Sequence, residues 1–157
     1  MRLNIIKKSP AEIEAMKEAG RLSAYVLRKV GEAAKPGVST LELDELAETL
    51  IRAEGGIPAF KGYGGFPGSI CASVNDQIVH GIPLSKAILR EGDILSIDTG
   101  ATVDGWVGDS AISFVVGKHA DPEDLRLIKC TEEALEAGIN MAQPGNRLGD
   151  ISAAVGC

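Results

Sequence analysis

Aromatic side chains are scarce, with Phe, Tyr and Trp making up only 4% of the 157 residues. Any core must therefore rest on aliphatic packing. No apolar run approaches the ~18 residues a membrane-spanning helix needs, so no membrane role is expected. A cationic excess is missing too: 16 Lys and Arg stand against 22 Asp and Glu, for a formal net charge of −6. Nucleic-acid backbones are bound through clustered cations, and here the basic residues are scattered, so nucleic acid is not expected as the substrate. Cysteine is sparse, odd in number and dispersed, at Cys71, Cys130 and Cys157. Disulfide-stapled secreted domains carry denser, even sets, so a reducing, cytoplasmic setting is expected. Lys7, Lys8, Glu12, Glu14, Lys17 and Glu18 break up the opening residues, unlike a signal peptide.

Glycine, by contrast, is plentiful and clustered, at Gly62, Gly64, Gly65 and Gly68 and again at Gly100, Gly105 and Gly108. Such clusters mark tight turns or backbone brought close to a ligand. The length predicts about one domain. Ser9-Pro10-Ala11-Glu12 predicts a helix start, followed by an apolar stripe of Ile13, Met16, Leu22, Val26 and Val30. Ser39 to Glu42 predicts a second start, with Leu43, Leu46, Leu50 and Ala53 as its buried face and Gly55-Gly56 as its end. Residues 69–74 and 77–82 read as strands around an Asn75-Asp76 turn. A third helix opens at Asp121-Pro122, with Leu125, Ile128, Leu135 and Ile139 on one side. Asp150 reads as the N-cap of a fourth, short helix, and a helix that short predicts a chain truncated at its C-terminus.

The chemistry centres on two aspartates. Asp104-Gly105 is a two-residue hairpin signal, because a type I′ turn needs positive φ at both centres. Pairing Val103 with Trp106 sets Asp98 opposite Ala111 and Asp109 opposite Gly100. Side chains alternate with period two, so the aspartates share a face as diagonal neighbours, ~7–8 Å apart or somewhat less at Cβ. A bulge at Gly108 would shift that register. Two carboxylates so placed can share a hard divalent cation, and a carboxylate bridge can hold two metals ~3.5–4 Å apart. On spacing alone, a pair of exposed surface aspartates explains them equally well.

His80, followed by Gly81-Ile82-Pro83, falls at a predicted strand end, where functional residues concentrate. A lone histidine is nonetheless more often structural. Cys71 reads better as a small buried hydrophobe than as a reactive thiol, and His119 has no evident role.

The segment from Phe66 to Pro83, containing Cys71 and Val79-His80-Gly81-Ile82-Pro83, closely resembles the substrate loop and histidine of the type I methionine aminopeptidases. The run from Asp98 to Asp109 is similar to that family's first metal-ligand pair, and the likeness extends over essentially the whole chain. It implies an α/β pita-bread fold, with residues 1–157 forming the N-terminal half of one metallopeptidase domain: an antiparallel sheet covered by helices. By the same likeness, two divalent ions (Mn, Fe, Co or Zn) would bind, with Asp98 on one and Asp109 bridging both. His80 would contact the scissile amide, and Tyr63, Phe66 and Cys71, with Phe60 at the edge, would line a methionine slot. The implied reaction is removal of initiator methionine from nascent polypeptides by a cytoplasmic, bacterial-like monomer that touches the ribosome.

The family's other ligands, one histidine and two glutamates, lie in its second half with a second histidine. Neither His119 nor the glutamates of the third helix match them, so this chain alone is expected to be inactive. Two other functions fit the same residues less well. A proline-specific aminopeptidase or dipeptidase of this fold usually carries a large preceding domain. A non-catalytic binding module tends to lose the very carboxylates present here.

Overall fold

A computed structural model describes residues 6–156, and Cys157 lies outside them. Each long helix starts where a side chain can receive its first free amides. In α1 (Pro10–Ala33) the Ser9 hydroxyl accepts from Glu12 N while the Glu12 carboxylate accepts from Ser9 N. In α2 (Thr40–Ala53) Ser39 and Glu42 form the same reciprocal pair. Both starts are those the sequence predicts.

Four antiparallel strands follow: β1 (Ile57–Pro58), β2 (Ile70–Val74), β3 (Ile94–Val103) and β4 (Trp106–Val115). β3 is the hub of the sheet. β4 pairs along its whole length, while β2 pairs with residues 95–99 and β1 with residues 101–102. Every second residue of β3, namely Leu95, Ile97, Thr99 and Ala101, is fully buried. Of these, Leu95, Ile97 and Ala101 pack in one core with Val26 and Val30 of α1 and Leu43, Ala47 and Ile51 of α2. Each large aliphatic chain so buried contributes ~1.5–3 kcal/mol. α1 can lie this close because Gly108 of β4 has no side chain: a Cβ there would sit 2.2 Å from the Ala19 carbonyl oxygen.

Four sequence expectations need correction. Residues 77–82 form no strand; β2 takes β3 as its partner instead. Asn75, in the left-handed region at φ 54, spends its side chain on Ile94 N and Asp93, which ties the turn to the start of β3. Secondly, the buried face of α2 is Thr40, Leu43, Asp44, Ala47 and Ile51, whereas Leu46 and Leu50 are half-buried and Ala53 is exposed. Thirdly, in α1 the predicted stripe is buried only from Leu22 onward, since Ile13 and Met16 are exposed.

The fourth correction falls in the second of two compact units, which begins at His119, the first ending at Lys118. This unit holds α3 (Pro122–Met141), capped by Asp121 as expected, and α4 (Leu148–Val155). Asp150 is not the cap of α4. It sits in the first turn and its carboxylate accepts from Arg147 N at 2.7 Å, the acidic half of a capping box. Gly138 admits α4, as a Cβ there would meet Val155 at 2.7 Å. Leu125, Leu135 and Ile139, read from the sequence as one side of this helix, are exposed. Among the described residues, no helix is long and apolar enough to cross a membrane.

Candidate metal centre

The β3–β4 turn is what positions the carboxylates. Asp104 and Gly105 adopt φ 49 and φ 82, the left-handed pair a two-residue turn demands. From Val103↔Trp106 the register runs unbroken: Ala101 pairs with Gly108, Gly100 with Asp109 and Asp98 with Ala111. There is no bulge at Gly108. Asp98 and Asp109 therefore emerge on the same face as diagonal neighbours, opposite the core-facing Ile97 and Thr99.

Their electrostatics are strained. Burial pushes Asp98 up to about 6, the charge of Asp109 and a hydrogen bond between the two carboxyl groups push the same way, and only His80 opposes. Asp98 Oδ1 is buried and has no hydrogen-bond partner. A buried oxygen without a partner, next to a second carboxylate, is costly, and a cation placed between the two groups would relieve both problems. The donors are hard oxygens, which suit a divalent ion. Among the described residues no cluster of three or more His, Cys, Asp or Glu side chains is placed to hold a metal.

A cavity of about 670 Å³ opens here. It brings together every residue singled out from the sequence: Phe60, Tyr63, Phe66, Cys71, His80, Asp98 and Asp109. Cys71 is buried directly across from Asp98 on β2. Phe60 lies over Gly100, where a Cβ would come within 2.7 Å of its ring. Tyr63 is 83% exposed on the rim.

His80 is exposed on a loop, not at a strand end, and holds a left-handed φ of 58, a conformation that persists only where the surroundings enforce it. Here Gly81 enforces it: its N–H donates to Ser73 Oγ at 3.0 Å and its carbonyl accepts from Ala72 N at 2.9 Å. A Cβ on Gly81 would meet Ala72 O at 2.4 Å.

Sequence reasoning missed the residues that hold these loops. Gly64, Gly65, Pro67 and Ile82 also line the cavity, and the glycine cluster was the available signal for the first two. Ser73 and Asp44 went unnoticed. Asp44 is 5% exposed; burial raises its carboxyl above the ordinary range against two backbone N–H donors, from Ile70 and Ser69, that lower it. Its signal was an acid recurring in step with the apolar stripe of α2.

An antiparallel sheet covered by helices on one face, with paired carboxylates facing a cavity on the other, is the half-unit of the pita-bread fold. The chain superposes on the crystal structure of methionine aminopeptidase from Rickettsia prowazekii with a TM-score of 0.92 and 39% identity, covering 96% of this chain and 60% of that one. Aminopeptidase PepP of Pseudomonas aeruginosa shares the fold, with a TM-score of 0.81 at 23% identity over 94% of this chain and 32% of that one. Residues 14–156 match the model of metallopeptidase family M24, and the chain belongs to that family. Among curated relatives, methionine aminopeptidase 1 of Bacillus subtilis (strain 168) is 50% identical over 151 residues, covering 96% of this chain and 60% of its own length. Methionine aminopeptidase of Clostridium acetobutylicum is 49% identical over 148 residues, covering 94% of this chain and 59% of its own length. The likeness to methionine aminopeptidases read from the sequence is thus borne out, and the chain spans about 60% of the length of these relatives.

Proposed function

We propose that the protein removes N-terminal methionine from nascent polypeptides by metal-dependent hydrolysis. Two divalent ions would bind, Asp98 holding one and Asp109 bridging both. The observation that carries this reading is the partnerless Asp98 Oδ1 buried beside a second carboxylate. When bound, the ions supply Lewis acidity toward a peptide carbonyl and toward water.

The chain's own residues do the rest. The paired carboxylates hold the positive charge at the floor of the cavity. His80, fixed by Gly81, offers its imidazole to the scissile amide. Phe60, Phe66, Tyr63 and Cys71 form an apolar, aromatic slot that suits an unbranched thioether.

In this reading residues 1–157 are the N-terminal half of a single domain whose remaining ligands, a histidine and two glutamates, lie outside them. The finer expectations go with it: Mn, Fe, Co or Zn as the metal, a cytoplasmic monomer, and contact with the ribosome. A proline-specific enzyme is supported by fold alone.

The test is turnover of a Met-Ala-Ser peptide with Mn²⁺ or Co²⁺, by the complete protein and by residues 1–157. The complete protein is expected to release methionine and the shorter chain not to. Robust turnover by residues 1–157 would refute the need for outside ligands. Cleavage of Ala-Pro peptides in preference to Met-Ala would refute the methionine assignment.

A further inference from the structure

Thr40, Asp44 and Glu48 recur every fourth residue on α2, and each holds a different segment around the cavity without lining it. Thr40 Oγ1 accepts from Leu84 N at 2.9 Å and donates to Leu84 O at 3.2 Å, securing the chain just after His80. Asp44 Oδ1 accepts from Ser69 N at 2.7 Å and from Ile70 N at 2.9 Å, where the pocket loop enters β2. Glu48 pairs with Lys61, at the other end of that loop.

Asp44 is the member of the stripe with most at stake. A carboxylate is seldom buried unless hydrogen bonds replace its water, and here the replacing donors are backbone amides of the loop. The fit is tight: a Cβ on Gly68 would lie 2.9 Å from Asp44 Oδ1 and 3.1 Å from Pro83 Cδ. The pocket loop and the histidine segment are therefore seated against each other at the point Asp44 holds.

Resting on the reading of the cavity as a methionine slot, we propose that Asp44 is a positioning residue for substrate selectivity, fixing the loop that bears Tyr63 and Phe66 relative to His80. Losing it would widen the slot without touching the carboxylates that hold charge.

Asp44→Asn keeps an acceptor oxygen in place, whereas Asp44→Ala leaves both amides buried and unpartnered. Two readouts are needed: amide hydrogen exchange, and the kcat/KM ratio of the complete enzyme for Met-Ala-Ser over Leu-Ala-Ser peptides. In Asp44→Ala, exchange at Ser69 and Ile70 should rise about tenfold or more while Leu95 and Ile97 in β3 stay protected. The preference for methionine should fall about tenfold, chiefly through KM, with kcat within about threefold. Asparagine should restore both readouts to within about threefold of the wild type. Should the alanine variant not fold, Asp44→Ser, whose short hydroxyl cannot reach both amides, carries the same expectations. Unchanged selectivity despite faster loop exchange, or asparagine faring no better than alanine, overturns the proposal. A wild-type enzyme that releases no methionine, while the exchange pattern holds, refutes the proposed function and leaves the loop-holding role of Asp44 standing.

Discussion

Cys71 on β2 lies directly across from Asp98 on β3. Burial, then the charges of Asp98, Asp109 and Asp44, push its thiol up to about 11. At pH 8 it is therefore almost wholly protonated, and the thiolate is the reactive form. Cys130 is exposed. Iodoacetamide should modify Cys130 on the order of a hundredfold faster than Cys71, read by peptide mass spectrometry. Comparable rates at the two positions would contradict the burial and charge assigned to Cys71.

Asp98 makes stability depend on pH in a defined sense. Its folded value, raised to about 6, means the native state prefers the protonated form. That contribution is fully present below the ordinary aspartate value of ~3.9 and is lost as pH rises through about 6. Carboxylates held low elsewhere, such as Glu12 by the Ser9 amide, work the opposite way but are common to wild type and variant. The Tm of metal-free wild type minus that of Asp98→Asn should therefore fall between pH 4 and pH 7. A difference that grows over that range would reverse the sign of the coupling.

Gly108 is required by the approach of α1, whose backbone at Ala19 fills the space a methyl group would need. Gly108→Ala should cost about 3 kcal/mol, measured by denaturant unfolding, because backbone on both sides must move. The strain falls next to Asp109, so metal affinity should drop as well. A cost no larger than an ordinary surface substitution would show that α1 is not seated there.

What the sequence revealed follows how local each determinant is. The starts of α1 and α2 were legible because Ser9–Glu12 and Ser39–Glu42 satisfy helix amides within three residues. The Asp98–Asp109 register was legible because Asp104-Gly105 fixes the pairing by its own backbone preference. Residues 77–82 were misread because an Asn75-Asp76 turn between two short runs resembles a hairpin, whereas the hydrogen-bonding partner of β2 is β3, some twenty residues on. Asp44 was missed for a related reason: its partners, Ser69 and Ile70, are distant in sequence, and apolar periodicity says nothing of a polar residue in the stripe. The true role of Gly108 depends on α1, which no reading of β4 alone supplies.

His80 can be probed without disturbing its unusual backbone. Asparagine tolerates the left-handed region, so His80→Asn removes the imidazole while keeping φ near 58. In the complete enzyme kcat should fall by roughly 10²–10³, the usual loss for one transition-state hydrogen-bond partner. The far-ultraviolet spectrum and Tm should stay near wild type. An unchanged kcat would remove His80 from the chemistry.

The central claim is that Asp98 and Asp109 together hold divalent metal. Equilibrium dialysis of the complete protein against Mn²⁺, with metal counted by mass spectrometry, addresses it most directly. Wild type should retain metal, and Asp109→Asn, which keeps the shape but removes the charge, should lose most of it. Equal metal content in the two proteins would contradict the account.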